Sequence, residues 1–243
     1  MRRSTQSTFI ACLVACGVIF GGGGSATAAE VDPRDGALAQ FRENLTASSD
    51  IAAFDELTRD QRSRLSSYLL GEIDPFAELS SEVARTPSGP PTSVSAGGFE
   101  LTLGTRDTAV PKVAASTGST TPSGQVSTLA GSTRSVSRSS SFSFLGITIS
   151  KTTVRVVYYY SGSRATGIAS SSCKVDVNYD PFSTVTSERE GAWISSGKAT
   201  AECKVVVVRG IFSSWGVITW STKAALQFVT ANGYGTVTAY GWR

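Results

Sequence analysis

The sequence contains no histidine, and its single methionine is the first residue. Without an imidazole, neither a Ser-His-Asp nor a Cys-His arrangement can form, and zinc has no histidine ligand. Carboxylates, lysine and tyrosine remain as acid–base groups, but they form no catalytic motif in this chain. We therefore predict that the protein is not an enzyme and that it carries no cofactor and no metal ion.

Charge and long apolar runs are also scarce. The formal net charge of +3 over 243 residues is too small to indicate a nucleic-acid partner. No apolar run reaches the roughly 18 residues that a membrane-spanning helix needs, so we expect no transmembrane segment.

Residues 1–29 have the pattern of a signal peptide. Arg2 and Arg3 precede a twelve-residue apolar run, Phe9–Phe20, and small residues follow at Ser25–Ala29. This pattern predicts a secreted protein. The short basic region and the excess of arginine over lysine are typical of bacteria.

An alternative for the leader is a lipid anchor. Leu13-Val14-Ala15-Cys16 resembles the lipobox of bacterial lipoproteins, in which the cysteine is lipidated. Apolar sequence continues past Cys16, however, and a good small-residue cleavage site follows, so ordinary cleavage is favoured.

Residues 30–85 form an acidic segment with 12 acidic and 6 basic residues, and it has helical patterns. Thr58 and Gln61 have the spacing of a capping box, which predicts a helix that begins at Thr58. A further helix is expected over Arg34–Asn44. Because short helices bury little apolar surface alone, this segment needs a partner, which we expect to be the remainder of the chain.

Residues 86–138 are rich in Pro, Gly, Ser and Thr, which predicts a linker with short strands at most, such as Phe99–Leu103. Dense strand patterns begin at residue 139 and continue to residue 243. Ala231-Asn232-Gly233 separates the last two apolar runs and predicts a terminal hairpin.

Two cysteines lie outside the leader, each in a predicted strand. Cys173 alternates in phase with Val175 and Val177, and Cys203 with Val205, so both fall on apolar faces. In an exported protein we expect them to form a disulfide. The sequence thus predicts a mainly β protein, a disulfide-bridged antiparallel β-sandwich preceded by a small α-helical segment, and an immunoglobulin-like architecture is compatible with it.

Two acidic patterns offer only weak sites. Asp176, Asn178 and Asp180 match the start of a calcium loop, but Pro181 stands where the sharp turn needs glycine. Strand alternation explains them as a solvated face. Glu188 and Glu190 flank Arg189 in an expected loop, and solvated acids explain them better than a glycosidase pair does.

Aromatic residues are the better candidates for a binding site. Core packing is the alternative role for every one of them, but rings exposed among polar residues suit stacking on sugars. The candidate ligand-binding residues are Tyr158, Tyr160, Trp193, Trp215, Trp220 and Trp242.

Two functions follow as hypotheses. The first is a non-enzymatic extracellular or cell-envelope binding module for a polysaccharide or a cell-surface protein. The second is a secreted effector or antimicrobial β-domain that the acidic segment holds as a pro-region, which the opposite charges of the two parts favour.

Overall fold

The structure, a computed structural model, describes residues 32–79, 93–105, 132–213 and 216–243. The predicted leader with Cys16 and most of the predicted linker lie outside these residues. The helices are α1 (Pro33–Asn44), α2 (Ser48–Asp55) and α3 (Arg59–Leu69). The strands are β1 (Ser93–Ala96), β2 (Phe99–Thr105), β3 (Thr133–Phe144), β4 (Ile147–Ser161), β5 (Arg164–Asn178), β6 (Ser183–Ser195), β7 (Lys198–Ser213), β8 (Gly216–Asn232) and β9 (Val237–Trp242).

The strands form two antiparallel sheets. The first sheet has the order β1-β2-β3-β4-β5, and the second has the order β6-β7-β8-β9. The predicted mainly β fold with a sandwich of two sheets is confirmed. Since neighbouring strands are consecutive in the chain, the order differs from the Greek-key order of immunoglobulin domains.

The predicted disulfide joins the two sheets. Cys173 on β5 and Cys203 on β7 are bonded, with their Cα atoms 5.7 Å apart. Cys173 lies opposite Val154 in register, and Cys203 is fully buried. The bond therefore crosses the sandwich interior, as the alternation predicted.

The interior between the sheets is mostly small and β-branched. Val154, Val156, Ala199 and Ala201 are buried there. One polar side chain also crosses the interior: Gln227 donates to the hydroxyl of Ser140 on the facing sheet at 3.1 Å. This bond partly satisfies an amide that would otherwise be costly to bury.

Local signals explain the helices. Asp32 caps α1 by accepting a hydrogen bond from the Arg34 backbone amide at 2.9 Å, and proline occupies the first turn. At α3, the Thr58 hydroxyl accepts from the Gln61 amide, and the Gln61 side chain accepts from the Thr58 amide. This is the predicted capping box, which is confirmed.

The helices share a second core with one end of the first sheet. The ring of Tyr68 on α3 lies 5.1 Å from that of Phe99 and 5.6 Å from that of Phe142. Phe144 and Ile147, where β3 turns into β4, belong to the same cluster. The acidic segment thus contributes its apolar residues to a core that it shares with the sheet.

A buried polar cluster lies at this junction. The guanidinium of Arg209 on β7 lies over the Tyr68 ring at 3.9 Å and donates to the Tyr68 carbonyl at 2.7 Å. It pairs with the Asp180 carboxylate at 3.2 Å, and the Tyr68 hydroxyl donates to the same carboxylate. All three side chains are buried, so the ion pair, the contact with the aromatic face and the hydrogen bonds offset much of the cost of removing these groups from water.

This cluster predicts a loss of stability in alkali. Burial, together with the charge of Asp180, raises the pKa of Tyr68 well above its ordinary value of 10.0. The folded protein retains a proton that the unfolded chain releases, so stability is complete below pH 10 and falls as the pH rises above it. A Tyr68→Phe variant should lose about 1 kcal/mol at pH 7 with the hydrogen bond, yet decline less steeply above pH 10. Urea unfolding between pH 7 and pH 11 measures both, and parallel declines would contradict the assignment.

Two expectations need correction. Strand structure begins earlier than residue 139, because β3 starts at Thr133 and the β1–β2 hairpin extends the same sheet. Glu188, Arg189 and Glu190 lie within β6 and not in a loop.

The described helices are too short or too polar to span a membrane.

Candidate binding site

Two rows of residues cross the outer face of the second sheet. In one row Trp193, Thr200, Thr230 and Ala239 are neighbours on β6, β7, β8 and β9. In the other, Gly191, Glu202, Phe228 and Gly241 are neighbours. With strands about 4.8 Å apart, each row is about 14 Å long. We call this surface the Trp193 face, which comprises Trp193, Thr200, Glu202, Phe228, Thr230 and Arg243.

Trp193 is the exposed aromatic of this face. Its side chain is 38% exposed, and its neighbours Ala192 and Ile194 pack into the sandwich interior. The indole lies against Gly191, where a Cβ atom would be 3.4 Å from the ring. Because glycine has no side chain, the ring rests on the strand and leaves surface open to solvent.

Glu202, which lies opposite Gly191 in register, forms an ion pair with Arg243 on the same face. Glu202 is only 6% exposed although it points away from the sandwich interior, whereas the Arg243 side chain is half-exposed. The Arg243 guanidinium also lies 5.1 Å from the centre of the Phe228 ring. The arginine is therefore held by both contacts, and an Arg guanidinium has further N–H donors to offer.

Hydroxyl groups fill the middle of the face. The Thr200 and Thr230 hydroxyls are 2.9 Å apart and hydrogen-bonded to each other. Across the sheet, Ala239 and Gly241 add little bulk. The surface is thus a shallow floor with an aromatic ring near one edge and a cation near the other.

Hairpin turns hold this end of the sandwich rigidly. The Ala165 amide donates to the Gly197 carbonyl at 2.8 Å, and the Gly233 amide donates to the Ser163 carbonyl at 2.8 Å. A Cβ atom at Gly233 would collide with the backbone of Ser163. The close contact between the β4–β5 and β8–β9 turns therefore requires glycine. Tyr234, which is 65% exposed, lies in the second of these turns.

Tyr159 was not among the predicted site residues, yet it is the exposed tyrosine of the run. It is 39% exposed on the outer face of the first sheet, with its ring 3.5 Å from where a Cβ atom of Gly167 would be. Strand alternation could have identified Tyr159, because it is an odd-numbered residue and the inward-facing Val154 and Val156 are even-numbered.

Tyr158 and Tyr160, which were predicted to bind ligand, point inward. Tyr158 is fully buried, and its hydroxyl donates to the Asn232 carbonyl at 2.7 Å. Burial raises its pKa. Tyr160 packs against the same core, with the Arg134 guanidinium 4.1 Å from its ring. Tyr158 is therefore unavailable to a surface ligand, and it joins the first sheet to the β8–β9 hairpin instead.

The remaining predicted residues do not join the Trp193 face. Trp242 lies opposite Gln227 in register and is half-buried. Trp215 lies outside the described residues, and so does the side chain of Trp220.

The calcium-like residues are each engaged with separate partners. Asp176 accepts from Thr153 at 2.5 Å and pairs with Lys174 at 2.9 Å. Burial acts to raise the pKa of Asp176, but these two partners outweigh it and lower the pKa. Asp180 pairs with Arg209, as described above.

In the parts of the chain that the structure describes, no three His, Cys, Asp or Glu side chains are grouped to hold a metal ion. Glu188 and Glu190 are exposed on β6, where Glu188 lies opposite Lys204.

No model of a known protein family, no curated protein and no solved structure matches the chain.

Proposed function

We propose that the protein is a non-enzymatic extracellular binding module whose Trp193 face contacts a polysaccharide. The observation that carries the proposal is the exposed Trp193 ring, which rests on Gly191 on the same face of the sheet as the Glu202–Arg243 pair. A sugar ring has apolar faces bordered by hydroxyl groups. An aromatic ring next to charged hydrogen-bonding groups matches both features.

Pre-organisation supports this function. The indole is held by its strand, and Arg243 is held by Glu202 and Phe228, so little side-chain freedom is lost when a ligand binds. The length of the face, about 14 Å, suits an extended chain better than a single small molecule.

Trp193→Ala is expected to weaken polysaccharide binding by at least about tenfold, since loss of the main aromatic contact costs more than about 1.4 kcal/mol. The test is co-sedimentation of the purified protein with crystalline cellulose, chitin and peptidoglycan over a range of concentrations.

Tyr159→Ala is the matched control. Tyr159 has the same exposure as Trp193 and also rests against a glycine, but it lies on the outer face of the other sheet. The Tyr159→Ala variant should therefore bind the polysaccharide as tightly as the wild-type protein does. Equal losses in the two variants would refute the Trp193 face, and failure of the wild-type protein to sediment with all three polymers would refute the polysaccharide ligand.

The shared core of helices and sheet supports a retained helical segment over a detachable pro-region. Tyr68 packs on Phe99 and Phe142, and Arg209 binds the backbone of α3. Removal of residues 32–79 would expose these rings and leave Arg209 without its carbonyl acceptors.

A further inference from the structure

A cleft lies in the helical segment, far along the chain from the Trp193 face. It is a cleft of about 480 Å³ between α1 and α3, closed at its base by α2. Leu38 and Phe54 form its apolar wall, and Ser63 and Ser66 also line it. This volume is within the range of small-ligand sites, about 300–1,000 Å³.

The cleft concentrates the positive charge of an acidic segment. Residues 32–79 contain ten acidic and five basic residues. Four of those five basic residues line the cleft, namely Arg34, Arg42, Arg59 and Arg62, together with only two of the acids, Asp32 and Asp35. Among the lining residues themselves, arginines therefore outnumber carboxylates by four to two.

Two of these arginines are already paired with carboxylates. Arg34 binds Glu72 at 2.9 Å, and Arg42 binds Asp55 through two bonds of 2.8 and 2.9 Å. The hydrogen bond from Arg42 lowers the pKa of Asp55. These two ion pairs lie on the α1 side of the cleft, and their arginines already have carboxylate partners.

The two arginines of α3 are in a different state. Arg62 donates to the backbone carbonyls of Leu57 and Asp55, both at 3.1 Å, which orders the guanidinium but does not neutralise it. It lies 5.3 Å from the Phe54 ring centre. Within the described residues, the side chain of Arg59 has no hydrogen bond and no ion pair. Within the described residues, neither guanidinium group is hydrogen-bonded to a carboxylate, although the charge of Arg62 also acts on the Asp55 carboxylate.

We propose that this cleft binds a small organic anion, whose carboxylate or phosphate is held by Arg59 and Arg62 and whose apolar part contacts Leu38 and Phe54. Guanidinium groups suit planar or tetrahedral oxyanions because their N–H donors form paired bonds with two oxygens.

The test is an NMR titration of the ¹⁵N-labelled full-length protein with phenyl phosphate and benzoate, each beside inorganic phosphate and uncharged phenol. Saturable shifts are expected in the backbone amides of α1 and α3. Phenyl phosphate or benzoate should bind more tightly than phenol and inorganic phosphate, and the binding should weaken as salt is raised. The better of the two aromatic anions identifies the headgroup.

Arg59→Gln should weaken binding at least fivefold, and Arg59→Glu should abolish it. Arg59 is exposed, and its side chain has no partner among the described residues, so neither change removes a described contact that the fold needs. Arg64→Gln is the control, because Arg64 lies on the same helix, pairs with Glu78 at 3.3 Å and does not line the cleft. An equal loss in Arg64→Gln, phenol binding as tight as that of the anions, or no saturable shift in α1 and α3 would each overturn the proposal.

Discussion

Removal of the Cys173–Cys203 bond is expected to lower the free energy of unfolding by about 3–4 kcal/mol. The bond closes a loop whose ends are 30 positions apart. In the chain-entropy model, closure of such a loop removes about this much conformational freedom from the unfolded state. Since small domains are stable by only about 5–15 kcal/mol, the bond contributes a large share.

Urea unfolding of a Cys173→Ala/Cys203→Ala variant measures this loss. The wild-type protein in reductant is the natural companion, because it keeps both sulfur atoms and separates the cross-link from the side-chain packing around Cys203. Both samples should also show a steeper dependence on urea, since the unfolded chain without a cross-link exposes more surface. Identical midpoints with and without reductant would mean that the cross-link does not limit the unfolded state.

The fold could be predicted where local alternation carries the information. The parity of Cys173 and Cys203 against their valine neighbours placed both sulfur atoms inside, and the structure joins them. The same holds for the α3 capping box, which depends on residues only three positions apart. Such patterns are readable because each is complete within one strand or one helix turn.

The Trp193 face was only partly predictable. Trp193 was identified as a candidate, but Glu202, Phe228 and Arg243 were not. Their neighbourhood depends on register across four strands, and a bulge between Arg189 and Gly191 shifts that register. A single-residue shift exchanges the two faces of a strand, and strand sequence alone does not place bulges.

The buried position of Arg209 could not be predicted from the local sequence pattern either. It follows the run Val205–Val208, which marks a buried strand, and nothing nearby in the sequence marks a partner for a cation. One partner, Asp180, follows the end of β5. The other, the Tyr68 carbonyl, belongs to a helix more than 100 positions earlier in the chain. Long-range polar contacts of this kind follow from the tertiary packing.

Arg209→Met is expected to destabilise the protein by about 3–5 kcal/mol. Methionine keeps most of the volume, but the Asp180 carboxylate is then buried without its counter-charge, and the Tyr68 carbonyl loses a donor. Breaking a buried pair from one side carries this cost because the remaining charge has no solvent. The measurement is denaturant unfolding at pH 7.

The chain supplies a matched control across the same junction. Lys223 on β8 pairs with Asp74 of the helical segment at 3.1 Å, and both side chains are about half-exposed. Lys223→Met removes one cation between the same two parts of the chain, yet it should cost no more than about 1 kcal/mol, since water screens an exposed pair. Equal costs for the two variants would show that burial of Arg209 does not decide its contribution.

A second substitution separates the charge from the packing. If the loss in Arg209→Met comes from an unpaired carboxylate, Asp180→Asn in the same chain should restore a substantial part of the stability, because a neutral amide is cheaper to bury than an ion. The Asn oxygen can still accept from the amide of Phe182, which now binds one carboxylate oxygen of Asp180. The Asn NH2 group then replaces the other oxygen, and it can donate to the Tyr68 hydroxyl, which now donates to Asp180. If Asp180→Asn does not restore stability, the stability that Arg209 provides comes instead from its bond to the α3 backbone and its contact with the Tyr68 ring. In that case the helical segment should be the first part of the Arg209→Met variant to be cleaved in limited proteolysis.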